Sequence, residues 1–584
     1  MDELLKTTER KEIVEKISLK NYFFPLTNAK AIMWIISVGL IVYGNSLFNG
    51  FVLDDLFQVV NNENIKNTFY FFTHEIGPYY RPIMMATFSV IYQMVGSQPF
   101  LYHLWQVVIY IGNAVLFYLF FSTFFRNKYL VFSLALIFLV HPINAETVNY
   151  ISVLQDAYFV FFGLLSLVIV RKTKHTTKLL FSSSILLLLS VLSKETGVLF
   201  IFIQLLLVWF YYKKYFWKYF IFIIPVIFIY ILLLLSLFGY IINSNDFLFT
   251  ISNTVTTAPL SQRLINIPNI ILYYISTFIF PKNLAVAQFW WNQTITFSHF
   301  YLPLMIDLFI FMAIILLGMF LHKRNKSSFV IFLFFLIWFI VGLSFHVQIF
   351  KLDQTVAEHW FYFPEIGLLG IIGVTLQEFL VDRKIFKVLI VCSISIITLL
   401  SIRTIIRNFN WHDPLTLYIH DIKEEPTDAY LAYNLGLAYA DEGDYAQAIP
   451  YTRQAINSVP NGYLLWQNLG GEYYKLHDYS NAELSLQKAI SMKPDFYGAY
   501  IDLANTLLAA GEPNKAKCFI EEKVITQWQN SSYAWRLLGY ANYLLKDRQD
   551  ALNDFQKAYT LDPSQLNEYN YINLQQGQSI EIQL

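Results

Sequence analysis

Residues 31–62 read AIMWIISVGLIVYGNSLFNGFVLDDLFQVVNN. The run from Ala31 to Phe48 is apolar and about long enough to cross a bilayer as a helix. The chain leaves that run and meets two adjacent carboxylates, Asp54 and Asp55, hemmed in by Phe51, Val52, Leu53, Leu56 and Phe57. Acids in such a place are either an ordinary solvated loop or a device that works at a membrane surface. The rest of the chain favours the device.

Of the 584 residues, 56% are hydrophobic and 14% charged, and the mean hydropathy is +0.46. Such a composition excludes an ordinary soluble protein. Net charge is zero, so nothing points to nucleic acid as a partner. Cys392 lies in an apolar run and Cys518 in a polar one, which implies neither a disulfide nor a thiolate metal site. Residues 1–30 carry charges of both signs, and the apolar run after them lacks an A-x-A cleavage pattern. They are expected to be a cytoplasmic N-terminus followed by a retained span.

Basic residues in short loops mark the cytoplasmic side. They occur at Arg126, at Arg171 to Lys178, at Lys213, Lys214 and Lys218, at His322 to Lys326 and at Asp382 to Lys387. Placing all of these inside leaves the Asp54–Asp55 loop, HPINAE, SKE, Gly239 to Pro268 and HVQIFKLDQTVAEHWFYF outside. The alternation closes with about eleven spans over residues 31–407 if Ile265 to Pro281 dips in and returns. The last span then runs outward, which places the C-terminal third of the chain outside the cytoplasm. The expectation is a multi-pass protein of a bacterial plasma membrane with extracytoplasmic repeats.

Past Asp428 the composition turns polar and a period of 34 residues sets in. It relates Gly436 to Gly470, Tyr439 to Tyr473, Ala448 to Ala482, Ala455 to Ala489 and Pro460 to Pro494. Small residues at that spacing let the two helices of a hairpin pack closely, as in the tetratricopeptide repeat. A third unit keeps Ala504 and Ala516 but has Lys523 and Trp528 where alanine and proline belong. A fourth, one residue out of register, has Gly539, Ala551, Phe555, Ala558 and Pro563. The repeats therefore occupy 429–563, with a tail at 564–584. They offer a concave surface for a partner protein, or serve as a spacer. The fold class is all-α: a polytopic membrane bundle followed by an α-solenoid.

The order of motifs resembles the transmembrane and tetratricopeptide repeat-containing O-mannosyltransferase-like proteins, within the GT-C class of glycosyltransferases. It is carried by LDD at Leu53 to Asp55, YYRP at Tyr79 to Pro82, HP-x-x-x-E at His141 to Glu146, the acid Asp156, KE-x-G at Lys194 to Gly197, and Tyr362 with Pro364. The resemblance implies a polyprenyl-phosphate-linked sugar as donor, inversion at the transferred carbon, and a protein hydroxyl as acceptor. Two positions depart from the family pattern. Leu154-Gln155-Asp156 stands where the family has G-R-x-D, and Glu358-His359 stands where it has E-R.

The chemistry suits these residues. A phosphate leaving group needs no protonation, so an inverting transfer chiefly requires one carboxylate to take the proton of the attacking hydroxyl. The resemblance puts the essential acid at the start of the external loop, which makes Asp54 the expected general base and Asp55 its orienter. Arg81 is expected to hold the donor phosphate through its forked guanidinium, or else to anchor the chain at the interface. His141, Glu146, Asp156, Lys194, Glu195, Glu358, His359 and Tyr362 are candidates for acceptor or sugar binding. The alternative for Glu146 and Asp156 is pairing with Lys194 or Arg81 to hold the bundle. No cluster suggests a structural metal, although a divalent cation on Asp54 and Asp55 is conceivable. A cell-wall or lipid-linked glycan acceptor, a glycolipid transporter and a non-catalytic scaffold are the rival functions.

Overall fold

A computed structural model describes residues 25–74, 79–172, 175–241, 258–379 and 383–584. The expectations for residues 1–24, for 242–257 of the Gly239 to Pro268 loop, and for Lys174 and Asp382 fall outside the described residues. The fold is helical, and among the described residues its β pairing is one isolated bridge between Gln288 and Val356. The chain divides into two compact units.

The first unit comprises residues 1–243, 309–344 and 359–409. Across the described residues seven helices are long and apolar enough to span a membrane, or up to eight if the bent pair Lys128–Val140 and Pro142–Asn149 is one span. The shorter apolar helices Asn28–Tyr43, Thr177–Ser193 and Glu195–Tyr211 complete the eleven segments expected as spans, while Pro82–Val95 is a further short apolar helix. The protein is an integral membrane protein.

Local sequence explains the turns that matter. Pro142 disfavours helical geometry in the residue before it, and His141 accordingly leaves the helix at φ −72°, ψ 126°. Its ring Nδ1 accepts the Ile143 N–H at 3.2 Å, and the axis bends by 48°. HPINAE is thus the elbow of a broken helix. Elsewhere glycine lets spans approach closely. A Cβ on Gly367 would lie 2.6 Å from the Phe339 backbone, and one on Gly342 would lie 2.8 Å from the Phe363 ring. Three asparagines close one end of the bundle. Asn49 donates to Asn149 at 2.9 Å, Asn149 donates to Asn408 at 2.8 Å, and Asn408 donates to the Val42 carbonyl at 2.9 Å.

The second unit comprises residues 244–308, 345–358 and 410–584. It joins the repeats to two loops that the sequence reading had assigned to the membrane domain. Buried Asp421 accepts the Val286 N–H at 2.7 Å, and Asp428, the N-cap of the first repeat helix, accepts that of Phe289 at 3.1 Å. The segment expected to dip into the membrane and return is instead one continuous helix, Leu260–Ile279. Its Arg263 donates to the carbonyls of Gln348 and Ile349, and Asn266 exchanges hydrogen bonds with Asn292. These polar anchors commit it to the surrounding loops, and no break lets it reverse.

Four helical hairpins follow: Ala429–Asp441 with Tyr445–Ser458, Tyr463–Lys475 with Tyr479–Met492, Tyr497–Ala509 with Pro513–Ile525, and Ser532–Leu544 with Arg548–Leu561. A Cβ on Gly436 would meet the Thr452 hydroxyl at 2.7 Å, and one on Gly470 would meet Leu486 at 2.6 Å. That contact is the physical reason for the 34-residue glycine spacing. The third hairpin widens into a π-turn over Ile520–Ile525. A π-turn accommodates one extra residue within a helix, and this is where the one-residue slip before the fourth unit is absorbed. Helix Gln565–Gln575, within the expected tail, caps the stack, with Asn570 donating to the Tyr540 hydroxyl at 3.0 Å.

Candidate active site

The two acids of the first loop are not equivalent. Leu53 adopts a positive φ of 52°, a conformation that costs a non-glycine residue on the order of 1–2 kcal/mol. It turns the chain so that Asp55 points inward and Asp54 stays half-exposed. Asp55 is fully buried. Its Oδ1 accepts the Ser152 N–H at 2.7 Å and the Ser152 hydroxyl at 2.6 Å, and its Oδ2 accepts the Val52 N–H at 3.1 Å. Burial pushes its carboxyl up to about 7, the donors from Ser152 and Val52 pull it down, and repulsion from Asp54 is the smallest contribution. The Asp54 N–H donates to the Tyr150 hydroxyl at 3.2 Å. The loop is thereby clamped to residues 150–152. Among the described residues no group of three or more His, Cys, Asp or Glu side chains is arranged to hold a metal ion.

The clamp leads directly to the next pair. Asp156, in the first turn of Leu154–Lys172, takes both of its oxygens to Lys194 Nζ at 2.8 Å, and both residues are buried. Next to Lys194, Glu195 accepts a two-pronged bond from Arg81: Nη2 to Oε1 at 2.6 Å and Nε to Oε2 at 3.2 Å. The Arg81 guanidinium also lies over the Tyr79 ring, 4.0 Å from its centroid. The loop held by Ser152 is thus followed by two ion pairs, Asp156 with Lys194 and Glu195 with Arg81, and Arg81 is the N-cap of the helix Pro82–Val95. Asp156 therefore pairs with Lys194, as the alternative reading had it.

The other candidates sit elsewhere. Glu146 holds the His359 backbone N–H at 2.9 Å, while the His359 ring Nδ1 lies 2.9 Å from Oε1, out of line for a hydrogen bond. Glu358 is buried at the head of the 3-10 turn Glu358–Phe361. Tyr362 is packed in the core, stacked near Phe138 and Tyr110, and its hydroxyl accepts from Asn113 at 2.9 Å. Together with the helix-capping role of His141, this gives Tyr362 and His141 packing work, with no surface for a sugar. Tyr150 and Ser152 escaped the sequence reading because nothing local marks them; only the fold brings them to the loop.

A family model for the tetratricopeptide repeat matches residues 429–461 and 463–496. Over 92% of its length the chain is 23% identical to protein O-mannosyl-transferase TMTC3 of Homo sapiens, covering 68% of that protein. The Mus musculus protein of the same name is 24% identical over 82% of the chain, and a Caenorhabditis elegans protein O-mannosyl-transferase is 24% identical over 70%. The chain resembles the protein O-mannosyl-transferases. It spans about 60% of the length of the mouse and nematode relatives (58% and 60%). Among solved structures, MamA protein is 23% identical over 26% of the chain and 81% of its own, with a TM-score of 0.24. A thermophilic repeat protein of Thermus thermophilus is 17% identical over 29% of the chain and 91% of its own, also at 0.24. At the two positions where the pattern has arginines, this chain has Leu154 and His359. Leu154 is buried two residues before Asp156, and His359 is held by Glu146 through its main chain.

Proposed function

We propose that this protein transfers a hexose from a polyprenyl-phosphate donor to a hydroxyl acceptor, a serine or threonine of a protein, with inversion. The observation that carries the proposal is the division of labour in the first loop. Asp55 is consumed by three donors and fixes the turn, while Asp54 keeps a half-exposed carboxylate beside it, just past the first span. In the reaction the acceptor oxygen bonds to the anomeric carbon as the bond from that carbon to the phosphate oxygen breaks. Asp54 takes the hydroxyl proton, and polyprenyl phosphate departs with the electron pair. Glu195 occupies one edge of the Arg81 guanidinium, and the Nη1 edge, which has no protein acceptor among the described residues, is the one to meet the phosphate. The names of the relatives support mannose as the sugar and a protein as the acceptor.

The Asp54 loop and the repeats both face outward, with the N-terminus in the cytoplasm, and the repeats hold the acceptor near the membrane and raise its local concentration. The test is purified protein with polyprenyl-phosphate mannose and serine- or threonine-containing acceptors. Asp54→Asn keeps the shape and an acceptor oxygen but cannot take the proton, so turnover falls by about 10²- to 10⁴-fold at unchanged donor affinity. Full turnover by the Asp54→Asn enzyme would remove the base from the mechanism.

A further inference from the structure

The span Ile151–Lys172 starts where the Asp54 loop is tied down and ends at Arg171 and Lys172, on the other side of the membrane. There Arg171 joins three loops that are far apart in sequence. Its Nε donates to the Thr123 hydroxyl at 3.0 Å, its Nη2 to the Thr123 carbonyl at 2.6 Å and its Nη1 to the Tyr212 hydroxyl at 3.3 Å. The guanidinium also lies over the Phe124 and Tyr211 rings, 4.5 and 4.6 Å from their centroids. His175 extends the seam, with Nδ1 2.9 Å from the Tyr219 hydroxyl and its ring centroid 4.3 and 4.5 Å from those of Tyr212 and Tyr215. These contacts gather Arg126 and Lys128 of the first loop, Lys172 and Lys178 of the second, and Lys213, Lys214 and Lys218 of the third, all of them exposed.

Residues 122–128, 171–178 and 211–219 contain no Asp or Glu. Among the described residues none of these cations, Arg171 included, pairs with a carboxylate, whereas Arg81, Lys194 and Arg324 each do. Burial, and then the neighbouring Lys214, hold the His175 imidazole below its ordinary range. Like charges gathered in this way attract an anion. The surface also runs on into a lipid-facing helix. Trp209 and Trp217 are 48% and 69% exposed, the Lys213 ammonium lies 4.8 Å from the centre of the Trp209 ring, and Ile221, Ile224 and Phe228 are exposed further along the helix Phe216–Ile241. Tryptophan at the end of a span marks the head-group level of a bilayer. A ligand that matches both features has an anionic head and acyl tails. We infer that this surface binds anionic phospholipid of the adjoining leaflet, its phosphate against Lys213, Lys214 and Lys218 and its acyl chains along the helix Phe216–Ile241. Basic clusters beside a span attract such lipids electrostatically. The inference stands apart from the transfer reading, since none of these residues belongs to the Asp54 site.

The experiment uses the purified full chain in a neutral detergent and reads the thermal unfolding midpoint, which rises when a ligand binds the folded state. Phosphatidylglycerol, the matching phosphatidylcholine, inorganic phosphate and polyglutamate are titrated separately. Phosphatidylglycerol should raise the midpoint of wild type, and the other three should not. Lys213→Gln combined with Lys214→Gln should need roughly 10- to 30-fold more phosphatidylglycerol for the same rise, the worth of two lysines at an anionic surface. Lys323→Gln combined with Lys326→Gln removes equal charge from a different basic loop and should respond as wild type does. If the first double variant is less stable than wild type without lipid, ionic strength makes the comparison on wild type itself: salt screens exposed charges, so the phosphatidylglycerol response should weaken as salt rises. Equal responses to the two lipids, a response unaffected by salt, or one that both double variants change alike would overturn the inference. Inorganic phosphate acting as strongly as phosphatidylglycerol would make this a free-anion site, and polyglutamate acting in place of the lipid would assign the surface to an acidic protein; either result overturns it too.

Discussion

Asp55→Asn tests how the first loop is held. Asp55 titrates at about 7 in the folded protein against 3.8 ordinarily. Its folded-state affinity for a proton is therefore raised, and the stability it contributes is complete below pH 4 and lost as pH rises through about 7. The full difference corresponds to roughly 4 kcal/mol, of which about 3 kcal/mol falls between pH 5 and pH 8. Asparagine is neutral at every pH and has no such term. The stability of wild type relative to Asp55→Asn should consequently decline by about 3 kcal/mol across that window, with wild type favoured most at the acid end. Comparing the two proteins in one detergent cancels the other titrating groups, and denaturant or thermal unfolding at pH 5, 6, 7 and 8 reads the difference directly. A difference that stays flat with pH, or one that grows as pH rises, would refute the burial argument. Asp55 would then be a solvent-accessible carboxylate, and burial would no longer distinguish it from half-buried Asp54.

Arg81→Lys keeps a charge but cannot reproduce the fork to Glu195 and the free edge together, so it should retain part of the donor turnover, whereas Arg81→Ala should lose nearly all. Unchanged donor affinity and turnover in Arg81→Ala would return this residue to an interfacial anchor. Lys194→Met strands buried Asp156 without its partner and should destabilise the protein by about 3–5 kcal/mol, while adding Asp156→Leu should recover most of the loss. A double variant no more heat-stable in detergent than the single one would show that the pair does not hold the bundle. Gly539→Ala forces a methyl to within 2.7 Å of the buried Phe555 ring and should cost the fourth hairpin about 1–3 kcal/mol. Limited proteolysis of the full chain would register this as faster cleavage between residues 532 and 563, and wild-type resistance would contradict the packing argument.

Composition, loop charge and a 34-residue period are local quantities, summed along the chain, and they were enough for the membrane class, the helical spans and the repeats. The elbow at His141 was implicit in its sequence too, because proline acts on the residue before it. Pairing is different, since a carboxylate's partner depends on which helix ends the fold brings together. Sequence could name Asp54 and Asp55 but could not tell them apart. What separates them is Ser152, 97 positions away in the chain, together with a positive φ at Leu53 that no residue type there announces. The same holds for Asp156 with Lys194 and for Glu195 with Arg81, oppositely charged residues scattered along the chain until the helices pack. Tyr362 and His141 looked chemical by type, and burial made them structural. The helix Leu260–Ile279 escaped for a related reason: its anchors, Gln348 and Ile349, lie more than 80 residues downstream. Periodicity reports which face a helix hides, whereas only the folded chain decides what it hides that face against.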